Sequence, residues 1–266
     1  MIDTHTHSLH SHDGHENIFD MVEQAKKIGC SYLAITDHLD LDYLFCSTAT
    51  ERQLDMDSYF KDFKAVVKNA GLELAFGVEV GYSNKSENLY ENKISSFPID
   101  VVINSVHTLN DIDLYHFLPN QQPAEKKHLF IDYLNAILCS IKAQYKYDVV
   151  GHIGYISRYV TYKEKYLLFD DTRDLIDQIL KTIIQLNKTI ELNTNVKTLP
   201  FNTLPEPQII ERYRELGGEN ITFGSDAHTL NRIGDGYYKA CAIARACGFK
   251  YWTVYLNRTP KKILIE

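Results

Sequence analysis

Short apolar runs alternate along the chain with amphipathic stretches. Seven runs have β character: residues 2–5, 32–36, 74–80, 101–106, 149–152, 189–193 and 221–225. Between them, apolar residues recur at helical spacing, most clearly Ile18, Met21, Val22, Ala25 and Ile28, with Gly29 as a C-terminal stop. Further helices are predicted over residues 124–145, 172–186, 205–216 and 237–246. Strand and helix alternating in this way predict parallel strands joined by right-handed crossovers, either closed into a barrel or spread as a doubly wound sheet. No repeat, low-complexity tract or linker interrupts the series, so residues 1–266 read as one α/β domain. The polar, irregular stretch 39–58 reads as a long loop over the active face.

Composition narrows the class. With 266 residues, 44% hydrophobic and 24% charged, the chain suits a single barrel-sized core and excludes coiled coil and disorder. A net charge of −7 without a Lys/Arg run argues against a nucleic-acid partner. The five cysteines, Cys30, Cys46, Cys139, Cys241 and Cys247, are scattered and form no C-x-x-C pair, which predicts reduced thiols serving as small core residues. There is no apolar stretch of about 18 residues, and no cationic start followed by an apolar run. Neither a membrane span nor a signal peptide is expected, and a cytoplasmic location follows.

Residues 3–15, DTHTHSLHSHDGH, hold five of the eleven histidines, interrupted by Thr, Ser and Leu in a way a purification tag is not. Six of the seven apolar runs end on metal-ligating side chains: His5 and His7, Asp37 and His38, Glu79, His107, His152, and Asp226 with His228. In parallel α/β folds the carboxyl ends of the strands face one way and build the active site, so these residues are expected in one pocket. Along an extended strand His5 and His7 point to the same face, and Asp226 and His228 repeat that spacing. Imidazole mixed with carboxylate suits Zn, Mn or Fe better than Ca or Mg.

The motifs His5-Thr6-His7-Ser8 continuing to Ser11-His12-Asp13-Gly14, Thr36-Asp37-His38, Glu79, His107, Gly151-His152 and Ser225-Asp226-Ala227-His228 resemble those of the polymerase and histidinol phosphatase (PHP) family. The resemblance spans residues 3–228. It implies a distorted (β/α)7 barrel carrying three divalent transition-metal ions, Zn, Mn or Fe. His5, His7, Glu79 and Asp226 would hold the first, Glu79, His107 and His152 the second, and Asp13, His38 and His228 the third. His10, His12 and His15 then read as solvated or supporting imidazoles. Such a cluster is cationic and suits hydrolysis of a phosphate ester by metal-activated water, with Asp226 orienting that water or handling its proton.

Arg158 and Arg232 lie in loops leaving the active face and are expected to bind the phosphate, with Lys197 a weaker choice. Asp40 and Asp42 are placed to meet a substrate amine. Within that family the length suggests a free-standing phosphatase rather than the module of a large polymerase, and the resemblance implies a small phosphorylated partner, L-histidinol phosphate, cleaved to L-histidinol and phosphate in histidine biosynthesis. The alternatives are a phosphoesterase acting on phosphotyrosine or nucleotides, and a non-catalytic, metal-stabilised scaffold. The sequence leaves the oligomeric state open.

Overall fold

Eleven strands and seven helices are formed by the residues described in the computed structural model, which are 1–41, 53–110, 112–116, 118, 125–166, 169–196 and 199–266. In chain order the strands are β1 (Ile2–Asp3), β2 (Tyr32–Asp40), β3 (Glu73–Gly81), β4 (Val101–Ser105), β5 (Thr108–Leu109), β6 (Ile112–Asp113), β7 (Val149–Val150), β8 (Thr189–Asn193), β9 (Ile221–Gly224), β10 (Tyr251–Leu256) and β11 (Thr259–Leu264). The main sheet runs β1-β2-β3-β4-β7-β8-β9, every neighbour parallel.

The sheet curls until its edges meet. The Thr4 N–H donates to Phe223 O at 3.0 Å, the Asp226 N–H to His5 O at 2.8 Å and the His7 N–H to Ala227 O at 2.8 Å. The result is a nearly closed seven-stranded barrel, as the motif resemblance implies. Register matters to the site: β2 pairs with β3 from Tyr32/Glu73 to Asp40/Gly81, which sets His38 beside Glu79.

The helices are α1 (Ile18–Lys27), α2 (Met56–Val67), α3 (Glu87–Ser95), α4 (Lys126–Ser140), α5 (Phe169–Gln185), α6 (Pro207–Glu215) and α7 (Tyr237–Ala246). In α1 the Asp20 N–H donates to the side chain of Asn17 at the N-cap, Ile18, Met21, Val22 and Ala25 are buried, and Gly29 follows at φ +78°. The predicted helix over 124–145 forms as α4, with residue 124 outside the described residues.

The loop expected over 39–58 is corrected at both ends. Leu39 and Asp40 finish β2, and α2 begins at Met56, capped by Asp55; residues 42–52, with Asp42 and Cys46, lie outside the described residues. Polar residues end β2 because they face the barrel mouth, while α2 buries only Met56, Tyr59 and Phe63 and so carries a thin apolar pattern. Of the cysteines, Cys30 and Cys241 are buried as expected, whereas Cys139 is exposed.

The hairpin β10–β11 went unforeseen. Trp252 and Val254 are wholly buried. The Asn257 N–H donates to Asp100 Oδ1 (2.7 Å), Arg258 Nε to Asp148 Oδ2 (2.6 Å) and Lys261 Nζ to Glu73 (2.6 Å). Those acceptors precede or begin β4, β7 and β3, so the hairpin plugs the amino-terminal end of the barrel, opposite the histidines. Among the described residues no helix is long and apolar enough to cross a membrane.

Candidate metal centre

At the carboxyl-terminal mouth, Glu79 on β3 is the hub. Its Oε1 lies 2.8 Å from His152 Nε2 and 3.2 Å from His107 Nε2, and accepts from Ser105 Oγ at 2.6 Å. Its Oε2 lies 2.9 Å from His38 Nδ1, 3.2 Å from His5 Nε2 and 3.6 Å from His7 Nε2. Asp226 Oδ1 is 3.4 Å from His7 Nε2 and 3.9 Å from His5 Nε2. Asp13, half exposed, reaches His228 Nε2 at 3.2 Å and His38 Nε2 at 3.6 Å.

All nine residues expected to ligate are thus brought together. Ligand atoms converge within 4.8 Å in four overlapping groups: His5, His7 and Asp226; His5, Glu79 and His152; His38, Glu79 and His107; and His7, His38 and His228. Yet His5 Nε2, His7 Nε2, His38 Nδ1 and Glu79 Oε2 are buried with no aligned hydrogen-bond partner. Buried polar atoms are almost always satisfied, so a cluster of orphaned lone pairs facing one another fits metal ions as the missing partners.

The supporting contacts select the ring nitrogens that face inward. The His5 Nδ1–H donates to Glu191 Oε1 at 2.6 Å and the His228 Nδ1–H to Asp226 O at 3.0 Å, while His107 Nδ1 lies 3.3 Å from Asp40. Carboxylate and carbonyl oxygens only accept, so a proton on Nδ1 satisfies each of these contacts, and in a ring that bound a metal Nε2 would be the atom facing it. Burial alone would raise the Glu79 carboxyl, but the attraction of His5, His107 and His38 holds it well below the usual range. Burial likewise opposes ionisation of Asp226, and Arg158 and His5 hold it well below its ordinary value.

Two buried aspartates fix the backbone around the ligands. Asp3 accepts from Ser225 N (3.0 Å), Ser225 Oγ (2.5 Å) and Gly234 N (2.8 Å), which locks β1 to the turn after β9. Asp37 accepts from Ser8 N (2.6 Å), Ser8 Oγ (2.5 Å) and Ser11 Oγ (2.7 Å), which folds the His-rich loop onto β2. Asp226 itself sits at φ +53°, a left-handed conformation held by its hydrogen bonds to His5 and His228.

A cavity of about 270 Å³ opens over this cluster, walled on one side by Tyr115, His116, Tyr155 and Tyr159. The sequence reading missed these aromatics, which carry no periodic signal in their loops. Arg158 lines the cavity, buried, with Nη1 donating to Asp226 Oδ2 (2.9 Å) and Nη2 to Asn193 Oδ1 (2.7 Å). Arg232 is not brought here: its guanidinium pairs with Asp235 three residues on and lines a neighbouring cavity. Lys197 lies outside the described residues. Asp40, expected at a substrate amine, is buried against His107. His10 stands apart beside Asp62, whereas His12 and His15 line the cavity.

The PHP domain model matches residues 3–195. The chain belongs to the PHP domain family. This PHP chain is 34% identical over 256 residues to "Probable histidinol-phosphatase" of Clostridium acetobutylicum, covering 94% of the chain and 95% of that protein. It is 28% identical over 251 residues to "Histidinol-phosphatase" of Lactococcus lactis subsp. lactis, covering 93% and 91%. The crystal structure of histidinol phosphate phosphatase from Lactococcus lactis subsp. lactis, complexed with Zn, L-histidinol and phosphate, superimposes with a TM-score of 0.86 at 26% identity, covering 98% of each chain.

Proposed function

We propose that this PHP protein is a histidinol-phosphatase, a metal-dependent phosphomonoesterase that cleaves L-histidinol phosphate to L-histidinol and phosphate. The observation that carries the reading is the set of three orphaned imidazole nitrogens converging on the equally orphaned Glu79 Oε2 at the barrel mouth. The likeness to proteins of that name along nearly their whole length supports the substrate.

Three ions are proposed, Zn, Mn or Fe, held by His5, His7, Glu79 and Asp226, by Glu79, His107 and His152, and by Asp13, His38 and His228. Bound there, they would supply Lewis acidity and a water of lowered pKa. Asp226 is proposed to orient that water or take its proton through Oδ1, because Oδ2 is held by Arg158. Arg158 lines the cavity and gives two of its five N–H donors to Asp226 and Asn193, with Tyr159 also hydrogen-bonded to it, and a remaining donor is proposed to meet a phosphate oxygen. The cavity of about 270 Å³ fits a small phosphorylated metabolite. A cytoplasmic setting belongs to the same proposal and agrees with the free cysteines.

The test counts metals and phosphate release on one preparation, with histidinol phosphate, tyrosine phosphate and a nucleotide panel as substrates. Close to three ions per chain and turnover favouring histidinol phosphate are expected. One ion at full activity would remove the trinuclear reading, and preference for another substrate would remove the assignment.

A further inference from the structure

One strand lacked a ligand at its end in the sequence pattern: β8, TIELN. Its central residue, Glu191, is wholly buried, although an isolated carboxylate in a protein interior is costly. Both oxygens are engaged at the metal centre. Oε1 accepts from His5 Nδ1–H at 2.6 Å, and Oε2 accepts the His152 N–H at 2.7 Å. His5 and His152 are themselves brought to Glu79 from opposite sides of the barrel, His5 to Oε2 at 3.2 Å and His152 to Oε1 at 2.8 Å.

The barrel also makes room for this carboxylate. A Cβ at Gly224 on β9 would run into Glu191 Oε1 and lie 2.7 Å from His5 Cβ. The backbone there is not left-handed, so the glycine serves space rather than conformation.

Resting on the metal reading above, we propose that Glu191 is a positioning residue that fixes His5 and His152 for metal binding and couples the first two ion sites. Having no proton to give, the carboxylate obliges His5 to carry its proton on Nδ1, which leaves the Nε2 lone pair facing Glu79 and Asp226. Through Oε2 it anchors the backbone of the turn after β7, and so the ring of His152.

Glu191→Gln tests this at nearly constant volume. The position needs two acceptors, and an amide has one. With its oxygen on His5, the NH2 group opposes the His152 N–H. Turned round, it donates to His5 Nδ1, moving the ring proton to Nε2 and closing that atom to a metal.

Zinc affinity of the metal-free protein is measured by competition with a chelating dye, alongside thermal midpoints with and without zinc. Loss of such a supporting partner weakens metal binding roughly 10- to 100-fold, about 1.4–2.7 kcal/mol. The expected result is that weakening in part of the bound zinc, while the zinc held by Asp13, His38 and His228 keeps its affinity. The stabilisation by zinc shrinks accordingly, and the metal-free midpoint moves little. In 15N-histidine spectra of the zinc-loaded protein, the His5 Nδ1 proton is present in the wild type and lost or exchange-broadened in the variant.

Glu191→Asp, which keeps both acceptors on a shorter stem, is expected to be intermediate and covers the case in which the glutamine variant fails to fold. A lowered metal-free midpoint with unchanged zinc affinity in either folded variant makes Glu191 a structural residue and overturns the proposal. Wild-type protein that takes up no zinc overturns the metal reading itself.

Discussion

Replacing Arg158 by methionine separates two things that the structure joins. The guanidinium lies 2.9 Å from Asp226 and 2.7 Å from Asn193, and both ends of the ion pair are almost fully buried. Methionine keeps much of the apolar stem, so the loss is chiefly charge and hydrogen bonds rather than packing. Removing one partner from a buried pair costs about 3–5 kcal/mol, because the other charge is left uncompensated. In metal-free protein that is a fall of roughly 6–20 °C in Tm, at about 2–4 °C per kcal/mol for a chain of this size. With metals bound, Asp226 has another cationic partner, and the fall is smaller. If Arg158 also holds phosphate, losing those hydrogen bonds removes about 1.5–3 kcal/mol of transition-state stabilisation, roughly tenfold to over a hundredfold in kcat/KM. The assay is differential scanning calorimetry with and without chelator, followed by histidinol phosphate kinetics on metal-replete protein. An unchanged metal-free Tm would refute the buried pair. Wild-type kcat/KM with the metals in place would remove Arg158 from the reaction.

Glu79→Gln is expected to strip more metal than a substitution at His228, since Glu79 faces five imidazoles and His228 only the outer group; metal analysis after gel filtration checks this, and equal retention would refute the hub. Burial pushes the Glu206 carboxyl up to about 7 beside an apolar cavity of about 60 Å³. Between the ordinary carboxylate range and pH 7 the folded chain therefore binds the extra proton, so stability falls as pH rises through that window. Glu206→Gln should flatten this fall and gain roughly 1–3 kcal/mol above pH 7 relative to wild type, read from urea unfolding at several pH values. Trp252→Ala should cost about 3–5 kcal/mol by denaturant unfolding while the metal content per folded chain stays unchanged, because the plug lies at the far end of the barrel.

The parallel strands and the nine clustered residues were legible because two patterns coincide: apolar runs mark the strands, and a side chain able to ligate a metal stands where almost every run stops. What escaped has physical reasons. Glu191 lies inside a run rather than at its end; its one signal is a charge flanked by Ile190 and Leu192, with Asn193 two residues on sharing its face. The plug is made by a strand whose partner, TPKKIL, is mostly exposed and carries little apolar pattern. Arg232 shows the limit of loop arithmetic, since an acid three residues away captured the guanidinium. The charge at the mouth also differs from that of the nine expected residues alone, because Asp40, Glu191 and Arg158 all adjoin them.

The seam that joins residues 4–7 to residues 223–227 bears on how the protein matures. Contacts between residues more than 200 positions apart form only after the intervening chain has ordered, since the loop-closure entropy precedes any return from the contact. His5 and His7 stand on one lip of that seam and Asp226 and His228 on the other. On the proposed ligation, an ion held by both lips would be captured tightly only once the ring has shut and would then oppose its reopening. The closing of the barrel would then be readable as a gain of metal affinity.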